Sequence, residues 1–106
     1  MLDRTPLHIK VVTPDATTVA LALSGDLDYG SVSQLAALTF ADGYRRVDVD
    51  LSALSFIDSS GLAALVRLYQ RAEDVNAVVQ VVALTPYLRT LFRMTALDRL
   101  FSLPPG

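Results

Sequence analysis

Phe56-Ile57-Asp58-Ser59-Ser60-Gly61-Leu62 is the stretch whose reading decides the fold. Upstream of it, Val47, Val49 and Leu51 alternate with Asp48 and Asp50, the period of a strand, and Leu54, Phe56 and Ile57 follow. Downstream, Leu62, Leu65, Val66 and Tyr69 recur at helical spacing. The period changes between Asp58 and Gly61, so the chain passes there from a buried strand into a helix. A small polar residue at such a turn, here Ser59 or Ser60, caps the first free helical N–H groups. The same helix N-terminus attracts negative charge and is a ready phosphate site.

Working outward, a strand from about Arg46 to Leu51 reaches the turn through Ser52-Ala53-Leu54-Ser55. The helix opened at Ser60 runs to about Glu73, and Asn76 stands where a left-handed cap residue is needed. Ala77 to Leu84 is apolar except for Gln80, which suits a strand covered on both faces, as parallel strands are. Thr85-Pro86 starts another helix, with Thr as N-cap, Pro at the first helical position, and Leu88, Leu91, Phe92 and Leu97 as its apolar stripe.

Toward the N-terminus, Leu7, Ile9 and Val11 alternate with His8 and Lys10, Pro14-Asp15 marks a turn, and Thr18 to Leu23 is a second strand bounded by Ser24-Gly25. These two strands form a hairpin at one side of the sheet. Gly25-Asp26-Leu27-Asp28-Tyr29-Gly30 reads as a loop, which makes Asp28 an exposed acid of little weight in stability. Ser31-Val32-Ser33-Gln34 has capping-box spacing, and the helix it opens carries Val32, Leu35, Ala36 and Leu38 before ending at Ala41-Asp42-Gly43. Strand, strand, helix, strand, helix, strand, helix is an α/β order whose right-handed crossovers make the later strands parallel. The carboxyl ends of those strands share one edge, where Asp26, Asp28, Asp50 and Asp58 to Ser60 gather and where open α/β sheets place ligands.

Composition narrows the function. At 106 residues the chain is long enough for one domain, residues 1–106, with one core, and zero cysteines exclude thiol catalysis and Cys-based zinc sites. That absence fits a reducing, cytoplasmic setting. Mean hydropathy is +0.41, yet no apolar run has the length of a membrane span, and Met1-Leu2-Asp3-Arg4-Thr5-Pro6 lacks an export signal's apolar core. Nine basic and eleven acidic residues give a formal charge of −2, without the basic footprint of nucleic-acid binding. Direct nucleic-acid and membrane contacts are therefore not expected. Asp48 and Asp50 project from one strand face, but no nucleophile or base accompanies them. His8, the one histidine, lies on the wet face of the first strand and cannot by itself build a zinc site. A hydrolase would need a base for Ser59, and the Gly-x-Ser-x-Gly elbow is absent because residue 57 is Ile. An aspartyl-phosphate receiver would need a lysine after a late strand, whereas the one lysine is Lys10. No metal and no cofactor is called for. The bland reading of Asp58-Ser59-Ser60-Gly61 is a capped helix whose glycine permits tight packing.

A wider match weighs against that bland reading. Gly25-Asp26-Leu27-Asp28, then Asp50-Leu51-Ser52-x-Leu54-x-Phe56-Ile57-Asp58-Ser59-Ser60-Gly61-Leu62, then Pro86-x-Leu88-Arg89-x-Leu91-Phe92, occur in order over nearly the whole chain. Together they resemble the STAS domain of bacterial anti-sigma-factor antagonists. The resemblance implies a small mixed sheet of four to five strands covered by helices mainly on one face. It also implies two partners, an anti-sigma serine kinase captured by the unphosphorylated form and a phosphatase that restores that form. By position, Ser59 is the implied phosphoacceptor, and Asp28, Asp58, Ser60 and Gly61 are the implied partner-binding residues. Asn76 stands where the family often has glycine, and Thr95-Ala96-Leu97 replaces Ser/Thr-Gly-Leu, so a positive φ at Ala96 would be strained. The rival reading is a STAS scaffold or sensor subunit of a transport or signalling assembly, with Ser59 only a cap.

Overall fold

The computed structural model describes residues 4–106; residues 1–3, part of the segment read above as lacking an export signal, lie outside the described residues. The elements are β1 (His8–Asp15), β2 (Thr18–Leu27), α1 (Val32–Ala36), β3 (Arg46–Ile57), α2 (Ser59–Glu73), β4 (Val78–Ala83) and α3 (Pro86–Met94), followed by a short 3₁₀ turn (Leu97–Arg99). One four-stranded sheet has the order β1-β2-β3-β4. β1 pairs antiparallel with β2, and β2–β3 and β3–β4 are parallel. This is the expected mixed α/β sheet with an N-terminal hairpin at one side.

The core lies on one face only. Val19, Leu21, Leu23 and Leu27 of β2, Val47, Val49 and Leu51 of β3, and Val79 and Val81 of β4 point into it. Leu65 and Leu68 of α2 and Leu88 and Phe92 of α3 cover them, and Phe101 stacks edge-on against Tyr69. β4 was expected to be covered on both faces, yet Val78 and Val82 are 55% and 44% exposed. Its apolar run is one buried face and one bare face, because no helix crosses to the other side.

Four boundaries differ from the expectation. β1 runs through Pro14 to Asp15, which pairs with Thr18; the turn expected at Pro14-Asp15 falls instead on Ala16 and Thr17, where Asp15 Oδ1 accepts from the Thr17 N–H at 2.9 Å. β2 does not stop at Leu23: Gly25 has φ +86 and carries the strand through an irregularity to Leu27, so the first half of the expected loop is strand. A Cβ at Gly25 would stand 2.0 Å from the Pro6 carbonyl oxygen, so the close approach of the N-terminal segment requires glycine. β3 likewise continues through Ser52–Ser55 to Ile57, its register with β2 shifting between Ala22 and Ser24. α1 is only five residues long. Its expected capping box does not form, because Ser31 Oγ accepts from the Asp28 N–H at 3.0 Å and donates to the Asp26 carbonyl oxygen at 2.8 Å, facing away from the helix, and Gly43 (φ +87) turns the chain well after the helix has ended.

The other end signals behave as read. Asn76 is left-handed at φ 59, and Thr85 Oγ1 accepts from the Leu88 N–H at 3.1 Å with Pro86 opening α3. Ala96 also takes φ 59, the strained turn foreseen for Thr95-Ala96-Leu97.

Candidate functional site

β2 and β3 end together, with Leu27 paired to Ile57, and α2 begins two residues later. The helix start is built by Asp58, not by a serine. Its backbone is extended (φ −108, ψ −174), which aims the carboxylate back over the first turn. Asp58 Oδ1 accepts from the Gly61 N–H at 2.9 Å, and Oδ2 accepts from the Tyr29 N–H at 3.1 Å. One side chain thus caps α2 and ties it to the loop that leaves β2. Gly61 is buried against that junction: a Cβ there would lie 2.2 Å from the Leu27 carbonyl oxygen and 2.7 Å from Ile57 Cγ1.

Because Asp58 is the cap, both serines are released from that duty. Ser59 is the first helical residue and is exposed; Ser60 is half-buried. Neither hydroxyl has a hydrogen-bond partner among the described residues. Their two N–H groups stand in the first turn, where a helix has no internal acceptors for them. Two exposed aromatic side chains belong to residues at this junction, Tyr29, whose N–H meets Asp58, and Phe56, next to the last residue of β3.

Asp28 departs from the expectation of an exposed loop acid: it is buried. Its Oδ2 is ion-paired with Arg4, and its Oδ1 accepts from the Gly30 N–H at 3.0 Å, with the Ser31 hydroxyl 3.3 Å away. Burial works to raise the Asp28 carboxyl. The hydrogen bond and charge of Arg4, with the Gly30 N–H and the Ser31 hydroxyl, outweigh burial and hold the group below the ordinary aspartate value. Next to it the N-terminal segment is strapped down, the Thr5 N–H donating to Asp26 Oδ2 and the Asp26 N–H to the Thr5 carbonyl oxygen, each at 3.0 Å.

A family model described as "Mlab, STAS domain" matches residues 11–104. The chain belongs to the STAS-domain family. Among solved structures, this STAS domain is similar to an anti-sigma factor antagonist from Mycobacterium paratuberculosis, with 27% identity, TM-score 0.74, and coverage of 94% of this chain and 86% of that one. It shares the fold of the Bacillus cell fate determinant SpoIIAA in the phosphorylated form, with 21% identity, TM-score 0.69 and coverage of 93% of each chain. The murine Solute Carrier 26 family member A9 anion transporter carries the fold too, with 11% identity and TM-score 0.71, covering 96% of this chain and 21% of the transporter.

The STAS domain brings Asp28, Asp58, Ser59, Ser60 and Gly61 to one edge of the sheet, through Tyr29, Leu27 and Ile57. It does not bring Asp50 there. The extension of β3 leaves Asp50 in mid-strand opposite Ala22, accepting from the Ser52 N–H and hydroxyl at 2.8 and 2.6 Å. Asp48 shares that face and pairs with Arg46 at 2.6 Å. Sequence reasoning missed Arg4 and Ser31, whose roles depend on partners that no local pattern announces. Among the described residues no group of three or more His, Asp or Glu is placed to hold a metal, and no helix is long and apolar enough to cross a membrane.

Proposed function

We propose that this STAS domain is a cytoplasmic anti-sigma-factor antagonist, a binding module that captures an anti-sigma serine kinase and is switched off by phosphorylation of Ser59. Capture frees the sigma factor, and a phosphatase reverses the modification. The observation that carries the reading is the free, exposed Ser59 hydroxyl at the start of α2 while Asp58 does the capping. A serine needed only as a cap would be engaged. In this reading Ser59 and Ser60 meet the kinase, flanked by exposed Tyr29 and Phe56, side chains of the type that anchor interfaces. Asp58, Gly61 and Asp28 act by holding the helix start and the loop in place.

A phosphate adds about −1.5 to −2 charges. The helix dipole and the Ser59 and Ser60 N–H groups favour it, and nearby Asp58 opposes it, so the isolated domain changes little. An interface complementary to a neutral hydroxyl has no such compensation. Kinase affinity should fall at least about a hundredfold, equivalent to roughly 2.7 kcal/mol.

The test is incubation with anti-sigma kinases and ATP, phosphosite mapping by mass spectrometry, and calorimetry of both forms. Ser59→Ala should abolish labelling and Ser60→Ala should not. A label on Ser60, or equal affinities of the two forms, would overturn the assignment. The second reading, a STAS subunit of a transport assembly, is favoured by the shared fold of the anion transporter. It predicts that Ser59 is never labelled.

A further inference from the structure

We propose that the bare face of the sheet is the surface on which a second copy of this chain packs, about a two-fold axis running along β2. Parallel strands are almost always covered on both faces. Here β2, β3 and β4 are parallel, and every helix packs on one side, leaving the opposite face open. That face is not simply polar: Val12 and Val82 are each 44% exposed. Between them Ala20 and Ala22 floor a hollow of about 320 Å³, with Lys10 and Asp50 on its rim. A second hollow continues it and shares Lys10, Ala22 and Asp50.

Charge names the occupant. Lys10, Ala22 and Asp50 stand in one cross-strand row on β1, β2 and β3. Lys10 and Asp50 lie two strand spacings apart, roughly 9–10 Å, and neither has an ion-pair partner among the described residues. Asp48, the other acid of this face, is already neutralised by Arg46. The unmatched charges are thus one positive and one negative, placed symmetrically about β2. A two-fold axis along β2 between two facing sheets exchanges the positions of β1 and β3. It lays Ala22 over Ala22, and each Lys10 over the Asp50 of the other copy, the reciprocal pattern of an isologous contact. Sheets stack about 10 Å apart, and alanines at the centre allow a closer approach that brings the lysine within reach of the carboxylate. Ser59 begins a helix on the far face, so both copies keep that edge accessible; the inference does not depend on the proposed function.

Four strands about 4.8 Å apart, paired over about six residues at about 3.3 Å each, present roughly 400 Å². That is below the roughly 800 Å² per partner of stable complexes, so association should be weak, visible on the order of 100 μM. The experiment is sedimentation velocity of the whole chain from about 5 to about 500 μM, with circular dichroism to verify folding. Lys10→Asp and Asp50→Lys should each weaken self-association at least about tenfold, because like charges then face each other in both pairs. An equimolar mixture of the two variants should dimerise again, since both pairs become opposite in the mixed dimer. A pair formed within one copy could not be rescued by mixing. A monomer at every concentration, a dimer indifferent to either variant, or no rescue on mixing would each overturn the proposal.

Discussion

Gly61→Ala sets two forces against each other with opposite signs. Gly61 lies in the first turn of α2, where alanine is the better helix former by about 1 kcal/mol, so propensity alone predicts stabilisation. The structure predicts the reverse. The new Cβ would stand 2.2 Å from the Leu27 carbonyl oxygen, a backbone atom fixed by the pairing of Leu27 with Ile57 and facing the Asp58 N–H at 3.4 Å. No rotamer relieves that contact, so α2 must move off the sheet. Overpacking of this kind costs about 3 kcal/mol, the upper end of the usual range, because the yielding atom is backbone. After the gain in propensity the net loss is about 2 kcal/mol. With an unfolding entropy of about 2.1 cal/mol/K per residue, a chain of this length should lose about 9 °C in Tm. Thermal unfolding followed by circular dichroism, with urea unfolding as a second measure, reads both quantities. An unchanged or raised Tm would refute the reasoning, since helix propensity would then have won and α2 would have room that the close approach denies.

Two further outcomes are expected. Ala96 holds φ 59, a conformation that costs an L-residue about 1–2 kcal/mol, so Ala96→Gly should raise stability by about 1 kcal/mol and Tm by about 4 °C; a lower urea midpoint would show that the turn is not strained. Asp28 ionises below its ordinary value when folded, so its contribution is complete above the unfolded-chain pKa of about 3.9 and is lost as pH falls through the folded value. Urea midpoints measured from neutral pH down to about pH 3 should fall less steeply for Asp28→Asn than for the parent, and equal slopes would remove the Arg4–Asp28 pair from the acid response.

Local chemistry was enough for the order of elements. The change of period at Asp58, the Thr85-Pro86 start of α3 and the left-handed Asn76 depend on interactions within a few residues, and each is legible from the chain alone. The position of Ser59 beside the strand-to-helix junction follows from the same local reading. Other features were settled by contacts between distant segments. Ser and Asp are near-equal N-caps, so nothing local chooses among Asp58, Ser59 and Ser60. The choice fell to Asp58 because its second oxygen meets the Tyr29 N–H across the ends of β2 and β3. Gly25 reads as a strand end and became a mid-strand irregularity because the Pro6 carbonyl presses against it. The capping box of α1 failed because the Asp28 N–H and the Asp26 carbonyl together hold the Ser31 hydroxyl, and Asp28 went inward because Arg4 could neutralise it. An apolar run such as Ala77 to Leu84 states that a strand is apolar, and only the placement of all three helices on one side decided that one of its faces stays bare. Such outcomes need partners many residues away, which a periodicity read within one segment does not contain.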